Sequence, residues 1–308
     1  MTVRPTLALV GAAVVTVVAV ELLRRRTRGL GSGRRYFGHP AGVWGLRVLV
    51  FFSVIAALAP LVAPYDPAAQ PGIVTLQNAP PSWAHPLGTD AYSSDIWSRL
   101  VYGGRVSLGV ALLATLVAMT VGVTIGAVAG YARGWIDAVL MRLVDIGLAV
   151  PRIFMLLLAV AYWNRIPLAL LVVLLGLTGW FTTSRLVRAE ALSLRGRPFV
   201  DAARALGASP ARILVRHLLP AALAPIIVSA VLSVGNVMLL EAGLSFLGFG
   251  VQPPTPSWGT MVADGQAQLA LAPWTSFFPG LTIAIVVMSW NAVGDALRDA
   301  FDPRPEHA

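Results

Sequence analysis

Long apolar runs separated by short polar segments restrict the fold of this chain more than any other feature. Each run is close to the ~20 residues that a helix needs to cross a bilayer. The seven runs occupy residues 6–23, 43–63, 106–131, 138–163, 167–184, 221–247 and 275–297. Only 12% of the residues are charged and 57% are hydrophobic, whereas soluble domains carry about 25% charged residues. The sequence therefore predicts an all-α polytopic membrane protein.

The positive charge of the chain follows the same topology. The formal net charge is +9, and every basic residue is an arginine because the sequence contains no lysine. Most of the arginines fall in segments that this topology places in the cytoplasm, as the positive-inside rule requires. A nucleic-acid partner would need the charge on one soluble face, interleaved with aromatic side chains, and the sequence has no such face. We therefore expect the lipid bilayer, and no nucleic acid, as a partner.

The first apolar run, residues 6–23, is barely long enough to span. Its arginines follow it, at positions 24, 25, 26 and 28, whereas a cleaved signal peptide carries positive charge before its apolar run. We predict an extra N-terminal span that begins outside, followed by an Arg/Gly-rich cytoplasmic linker over residues 24–42. An interfacial helix, or a start codon placed too early, is the alternative.

Residues 185–220, here called the arginine-rich loop, are short of apolar runs and contain seven of the 23 arginines. Pro198 suits the first turn of a helix, and Gly207 can take the left-handed conformation that ends one. Ser209 followed by Pro210 is typical of an N-cap and first turn. The loop is therefore predicted to form two short helices at an angle, as a rigid knob on the membrane surface.

Motifs in this loop and outside it occur in the order found in one family. Asp201-Ala202-Ala203, Gly207 and Leu218-Leu219-Pro220 resemble the EAA loop of ATP-binding-cassette importer permeases. Further motifs similar to the dipeptide/oligopeptide/nickel subfamily lie at residues 87–90, 103–109, 241–259 and 297–303. The resemblance implies the type I (MetI-like) transmembrane domain, with six core helices besides the extra one. The predicted segments are residues 1–42, 43–105, 106–303 (the core permease domain) and 304–308, a cytoplasmic tail.

The resemblance also implies a mechanism and partners. It implies an ATP-driven, binding-protein-dependent importer in the inner membrane of a prokaryote, with the arginine-rich loop and the C-terminus in the cytoplasm. The partners would be a second homologous permease, two ATP-binding subunits and an extracytoplasmic substrate-binding protein. The residues assigned to ATPase coupling are Asp201, Ala202, Ala203, Arg204, Gly207, Ser209, Arg212, Leu218 and Pro220. For the arginines among them, a role in topology alone is the alternative.

Cargo is less constrained by the sequence than the mechanism is. Di- or oligopeptides are the expected cargo, with a nickel complex or a glutathione-type peptide as the alternative, and an ATP-independent secondary transporter as a further one. The long external loop, residues 64–104, would dock the binding protein or cap the bundle, and residues 94–102 within it are predicted to form a short amphipathic helix. The family usually has Gly-Arg where this chain has Ser93-Ser94.

A translocation pathway is predicted from polar residues inside the spans. Arg152 lies near the middle of the run 138–163, where an arginine costs roughly 2.5–3.5 kcal/mol on insertion scales. We hypothesise that it contacts an anionic group of the substrate, and pairing with Glu241 is the alternative. Ser233 and Asn236 join Glu241 in the predicted pathway, although packing between helices also explains these two.

Two further patterns concern packing. Gly122, Gly126 and Gly130 recur at four-residue spacing, which predicts close approach of a neighbouring helix. Arg142 and Asp145 lie three residues apart, which predicts a surface ion pair.

Catalytic signatures are missing from the sequence. It has no cysteine, its four histidines lie far apart, and no Walker A or H-E-x-x-H sequence occurs. We expect no catalytic residue, no metal site and no cofactor bound by this chain, with ATP and Mg²⁺ used by the partner ATPase subunits.

Overall fold

The computed structural model describes residues 3–302 except 71, 73, 74, 164 and 165. The predicted tail, residues 304–308, lies outside them. Within the described residues every regular element is a helix, and the only strand-like feature is an isolated bridge between Thr89 and Asp95. The predicted all-α fold class is confirmed.

The helices are numbered in chain order. Those of the N-terminal half are α1 (Val3–Thr27), α2 (Gly31–Gly38), α3 (Pro40–Ala57), α4 (Ala59–Val62), α5 (Ile96–Ala132), α6 (Gly134–Ala149) and α7 (Arg152–Ala161). Those of the C-terminal half are α8 (Leu168–Leu177), α9 (Trp180–Arg195), α10 (Pro198–Ala205), α11 (Pro210–Ile213), α12 (Leu219–Ala221), α13 (Leu223–Phe246), α14 (Trp258–Gln266) and α15 (Trp274–Phe301). Five are long and apolar enough to cross a membrane, or seven spans if each of two bent helix pairs counts as one. The count agrees with the seven apolar runs.

The helices form two compact units. The terminal unit comprises the described residues of Met1–Leu112, Trp163–Leu171 and Val234–Ala308, and the central unit those of Leu113–Tyr162 and Val172–Ser233. The boundaries fall inside α5, α8 and α13, so these helices contribute to both. The predicted segments follow chain order instead, and they stay predictions.

In the terminal unit, α3 packs tightly against α15. A Cβ added at Gly45 would lie 2.7 Å from the Ser289 carbonyl oxygen, so only glycine allows this separation. Helix α1 packs on the same unit through a buried cluster that includes Ala12, Ile55 and Ala59. The predicted extra N-terminal run is therefore a helix fastened to the core residues beside it.

In the central unit, the glycine stripe of α5 faces α9, as the four-residue spacing predicted. A Cβ at Gly130 would lie 2.7 Å from the Cβ of Ala191, and a Cβ at Gly122 would lie 2.7 Å from the Cβ of Thr183. Gly126 likewise faces Ser184. Small residues at this interval let two backbones approach closely in lipid, and the prediction of close helix packing is confirmed.

Two expectations about secondary structure were wrong, and two helices were not predicted. Residues 94–102 do not form a separate helix, because α5 begins at Ile96 and continues to Ala132. The linker 24–42 contains α2, whose buried Tyr36 donates a hydrogen bond to the Gly42 carbonyl. The segment between the last two predicted spans contains α14, and the Ser257 hydroxyl caps this helix by accepting a hydrogen bond from the Thr260 N–H, 3.2 Å away.

The second correction is that two predicted spans are broken. Helices α6 and α7 meet at an angle of 83°, and α8 and α9 at 41°. Pro151 explains the first break, because proline lacks an N–H and pushes the residue before it out of the helical region. Val150 is accordingly extended, with ψ of 126°.

Candidate functional site

The arginine-rich loop has the predicted helix–turn–helix form. Helix α10 starts with Pro198 in its first turn, and Gly207 follows it with φ of +77°. Ser209 then caps α11 by accepting a hydrogen bond from the Arg212 N–H, 3.4 Å away. The segment Leu214–Leu218, which was not predicted, forms a π-helical turn immediately before α12.

A small apolar core holds this knob together. Val200, Ala203, Ile213 and Leu218 are buried against one another, with Tyr131 partly buried beside them. Ala203 and Leu218, both assigned to ATPase coupling, therefore stabilise the knob from within. The remaining assigned residues that the helices expose include Asp201, Ala202 and Arg204, and the Asp201 and Arg204 side chains form an exposed ion pair at 2.9 Å.

Another face of α10, together with Leu206 just after the helix, exposes apolar side chains. Phe199 is 42% and Leu206 88% exposed, and Ala202 lies between them in sequence. Positions i, i+3 and i+7 share one face of a helix, so these three residues form one surface, here called the apolar patch. The sequence did not predict the exposure of Phe199 and Leu206, which helical spacing places on an outward face once Val200 and Ala203 are known to be buried.

Arginines of α9 link the loop to two other helices of the central unit. The Arg188 guanidinium donates to both carboxylate oxygens of Asp137 on α6, at 2.5 and 2.7 Å. Arg185 donates to Asp145, also on α6, at 2.5 Å. Arg195 donates to the Tyr131 carbonyl at the end of α5, and its guanidinium lies 5.4 Å from the Tyr131 ring centre. These contacts are here called the arginine links.

The arginine links show that the predicted ion pair between Arg142 and Asp145 is wrong, and they attach the loop to α6. Asp145 pairs with Arg185, not with Arg142, because α9 packs beside α6 and brings a guanidinium to the carboxylate; Arg142 is exposed. A bidentate arginine–carboxylate contact fixes direction as well as distance. The contacts therefore join α9, the helix that leads into the loop, to α6.

The structure places the four predicted pathway residues in different surroundings. Arg152, at the start of α7, donates to the Leu175 carbonyl at 2.6 Å and to the Thr178 hydroxyl at 3.2 Å. Ser233 donates to the Ser229 carbonyl at 2.7 Å, and Asn236 is exposed.

Glu241 is 1% exposed in the terminal unit. It accepts hydrogen bonds from Ser245 and Ser257, at 2.8 and 2.9 Å, with Ser107 3.5 Å away. Ser107 in turn accepts from the Trp258 N–H at 3.0 Å. The carboxylate therefore joins α5, α13 and the start of α14, and its assignment to the pathway stays a prediction.

The predicted external loop is ordered by buried acidic residues. Asp95 accepts from the Ser98 hydroxyl at 2.7 Å and lies 2.9 Å from the His85 ring. Asp90 pairs with Arg99, which also pairs with Asp264 at 2.8 Å. This network gives the loop a fixed surface with a cavity of about 270 Å³. Such a surface suits either predicted role, docking or capping.

Among the residues that the structure describes, no group of three or more His, Asp or Glu side chains is arranged to hold a metal ion.

Comparisons with known proteins agree on one family. Residues 122–307, more than half of the chain, match the family model described as binding-protein-dependent transport system inner membrane component. Residues 32–81 match the N-terminal transmembrane domain of oligopeptide transport permease C.

Relatives along most of the chain carry related names. The chain is 41% identical to the dipeptide transport system permease protein DppC of Alkalihalophilus pseudofirmus, over 84% of each chain. It is 36% identical to the oligopeptide transport system permease protein OppC of Bacillus subtilis, over 88% of each. It is 37% identical to the glutathione transport system permease protein GsiD of an Escherichia coli strain, over 83% of this chain and 84% of the relative.

The arginine links can be tested by a double-mutant cycle on Asp137 and Arg188. Asp137→Asn and Arg188→Gln are each expected to lower the free energy of unfolding by about 1 kcal/mol. The double variant should lose less than the sum, because either change alone already breaks the contact. Thermal unfolding of the purified protein measures this. Arg185 and Asp145, whose side chains are 52% and 47% exposed, form the control pair with a smaller coupling; strictly additive losses at Asp137 and Arg188 would contradict the link.

Proposed function

We propose that this chain, which belongs to the family of binding-protein-dependent transport system inner membrane components, is the permease subunit of an ATP-driven importer of di- or oligopeptides. The apolar patch on the rigid arginine-rich loop is the observation that carries the proposal, because an exposed apolar surface ringed by charge marks a protein contact. The relatives named for dipeptide, oligopeptide and glutathione transport support a peptide cargo.

The partners follow from what the chain lacks and what its family name states. The sequence contains no Walker A motif, so ATP must be hydrolysed by other chains, which we take to be two ATP-binding subunits. A second, homologous permease completes the membrane part, and a substrate-binding protein delivers the cargo from outside. The chain is a multi-pass inner membrane protein, and we place the arginine-rich loop and the C-terminus in the cytoplasm.

Coupling begins when the ATP-binding subunits displace the arginine-rich loop. Closure of the ATP-binding subunits moves the apolar patch, and the buried core around Val200 and Ile213 carries the motion through the knob as one body. The arginine links then transmit it to α6, which leads directly into the bend at Pro151. The surface charges Arg204 and Arg212 suit acidic residues on the ATP-binding subunit, whereas Asp201 is shorter by one methylene than the glutamate usual in the family.

The pathway proposal rests on Arg152, just after that bend. Its Nε and Nη2 atoms hold Thr178 and the Leu175 carbonyl. Nη1 has no hydrogen-bond partner within the part of the chain that the structure describes. A guanidinium with an unused donor can bind a carboxylate. The C-terminal carboxylate of a peptide is the anionic group that we assign to it.

The contact with the ATP-binding subunits is tested by removing the apolar patch. Phe199→Ser combined with Leu206→Ser is expected to weaken co-purification at least tenfold, because truncating buried interface anchors costs that much or more. The tagged chain is purified from native membranes, and the co-purifying chain is identified by mass spectrometry as one that contains a Walker A sequence. Trp83→Ser is the control, since Trp83 is 95% exposed but lies in the external loop. Retention of the ATP-binding chain by the double variant would disprove the contact.

Gly207 is the residue on which the angle of the knob depends. At φ of +77° a valine is strained by roughly 1–2 kcal/mol, so Gly207→Val should reorient α11 relative to α10. We expect normal membrane insertion and ATP hydrolysis but loss of substrate uptake in reconstituted vesicles. Gly196→Val is the matched control, because Gly196 has φ of −88° and open space around it. Equal uptake by both variants would refute this role for Gly207.

The role of Arg152 is tested with two forms of one dipeptide, a free acid and its C-terminal amide. The wild-type importer should take up the acid at least tenfold faster, and Arg152→Gln should abolish that preference because the guanidinium is gone. Thr178→Val removes one hydrogen bond of Arg152 but leaves its charge, and it should keep the preference. If Arg152→Gln impairs folding while the surviving protein still prefers the acid, Arg152 does not contact the cargo.

A further inference from the structure

A basic cavity lies in the terminal unit, between the end of α1 and helix α2. Its volume is about 480 Å³, and the residues that line it are Arg24, Arg28, Gly33, Arg34, Phe37 and Gly38. The coupling mechanism does not use any of them. Three guanidinium groups and one aromatic side chain thus surround one open space.

The positive charge of this cavity is not neutralised by the protein. Glu21 is shared between Arg24, at 3.7 Å, and Arg25, at 3.4 Å. Arg28 and Arg34 have no acidic partner among the residues that the structure describes. Guanidinium groups present rigid forks of donors that match the oxygens of a phosphate. The cavity is therefore suited to an anion with a phosphate group.

The position of the cavity along α1 identifies the source of that phosphate. Leu22 and Leu23, immediately before the arginines, are 59% and 44% exposed, as expected of side chains that face lipid. On α3, Trp44 is 53% exposed, and tryptophan is enriched at the level of the lipid headgroups. The arginines that follow Leu23 thus lie where α1 leaves the hydrocarbon, and Phe37 provides an apolar wall.

The walls of the cavity are held in place by their own contacts. The Tyr36 hydroxyl donates to the Gly42 carbonyl at 3.0 Å, and burial raises the pKa of Tyr36 to about 12, so it stays a donor. Arg35 donates to the Asp302 carbonyl at 2.6 Å, which fastens α2 to the end of α15. A preformed site binds its ligand without the cost of ordering a loop.

We propose that this cavity binds the headgroup phosphate of an anionic phospholipid, with the acyl chains along the apolar face of α1. Arg28 and Arg34 bind the phosphate, and Arg24 adds to the positive potential. The proposal concerns lipid alone, so it stands whether or not peptides are the cargo.

The experiment measures binding of phosphatidylglycerol and of phosphatidylcholine to the purified full-length chain by native mass spectrometry. We expect wild-type protein to retain phosphatidylglycerol selectively. Each arginine near an anionic headgroup contributes about fivefold in affinity, so Arg28→Gln with Arg34→Gln should weaken binding more than tenfold. Arg25→Gln with Arg26→Gln is the matched control: it removes the same charge from residues outside the cavity, and binding should change less than twofold. Equal weakening by both double variants would overturn the proposal, because it would show attraction by net charge alone.

A second pair of variants covers the case in which the double variant does not fold. A side chain at Gly38 or Gly31 meets open space, but only Gly38 lines the cavity. Gly38→Glu should reduce phosphatidylglycerol binding at least tenfold, and Gly31→Glu should leave it unchanged. Inorganic phosphate distinguishes the sources: if it displaces the lipid at millimolar concentration, or binds while phosphatidylglycerol does not, the site is for a soluble anion and the proposal fails.

Discussion

The bidentate contact of Arg188 with Asp137 is the interaction on which the central unit depends for its mechanical continuity. Helix α9 belongs to the arginine-rich loop at one end and crosses α5 along the rest of its length. The glycine stripe brings α5 and α9 into backbone contact but leaves sliding along the axis possible, because glycine offers no interlocking side chain. The ion pair to α6 removes that freedom, since two parallel hydrogen bonds specify both position and orientation. The close packing of α5 on α9 and the ion pair of α9 with α6 together hold these three helices and the arginine-rich loop in fixed positions.

The bends between α6 and α7 and between α8 and α9 are stabilised by side chains that bind free backbone groups. Inside a membrane span, no water replaces a lost hydrogen bond, so the backbone groups at a break must be satisfied by the protein. Thr178 donates to the Leu174 carbonyl at 2.9 Å, and Arg152 donates to the Leu175 carbonyl. Arg152 thus stabilises the bend between α8 and α9 from its own position at the bend between α6 and α7. An isolated arginine in a span is costly, but the hydrogen bonds of Arg152 connect the two bends to each other.

Proline, glycine and capping residues in the sequence predicted the helices of the arginine-rich loop. The features that were not predicted depend on tertiary contacts. Pro198, Gly207 and Ser209 act on their own backbone, so their positions alone are sufficient to place α10 and α11. The partner of Asp145 depends instead on which helix packs beside α6, and no local spacing contains that information. The same holds for the start of α5, where the Trp258 side chain lies close to Gly103 and Gly104. The resemblance to the family predicted the coupling residues, which stay predictions. The exposed face of α10 depends instead on which side chains pack inward, and the burial of Val200 and Ala203 shows that.

Arginine, which this sequence uses in place of lysine, also binds backbone carbonyls at the ends of helices. The last carbonyls of a helix have no intrahelical donor, and a cation there also interacts favourably with the helix dipole. Four arginines bind such carbonyls: Arg35 at Asp302, Arg105 at Ala56 and Ala57, Arg152 at Leu175, and Arg195 at Tyr131. A guanidinium can do this with one edge and keep donors for a second contact, which a lysine ammonium does without the fixed geometry. Arg28 and Arg34 have neither a carboxylate nor a helix end to bind within the described chain. Their charge is thus left for a ligand that the membrane itself supplies.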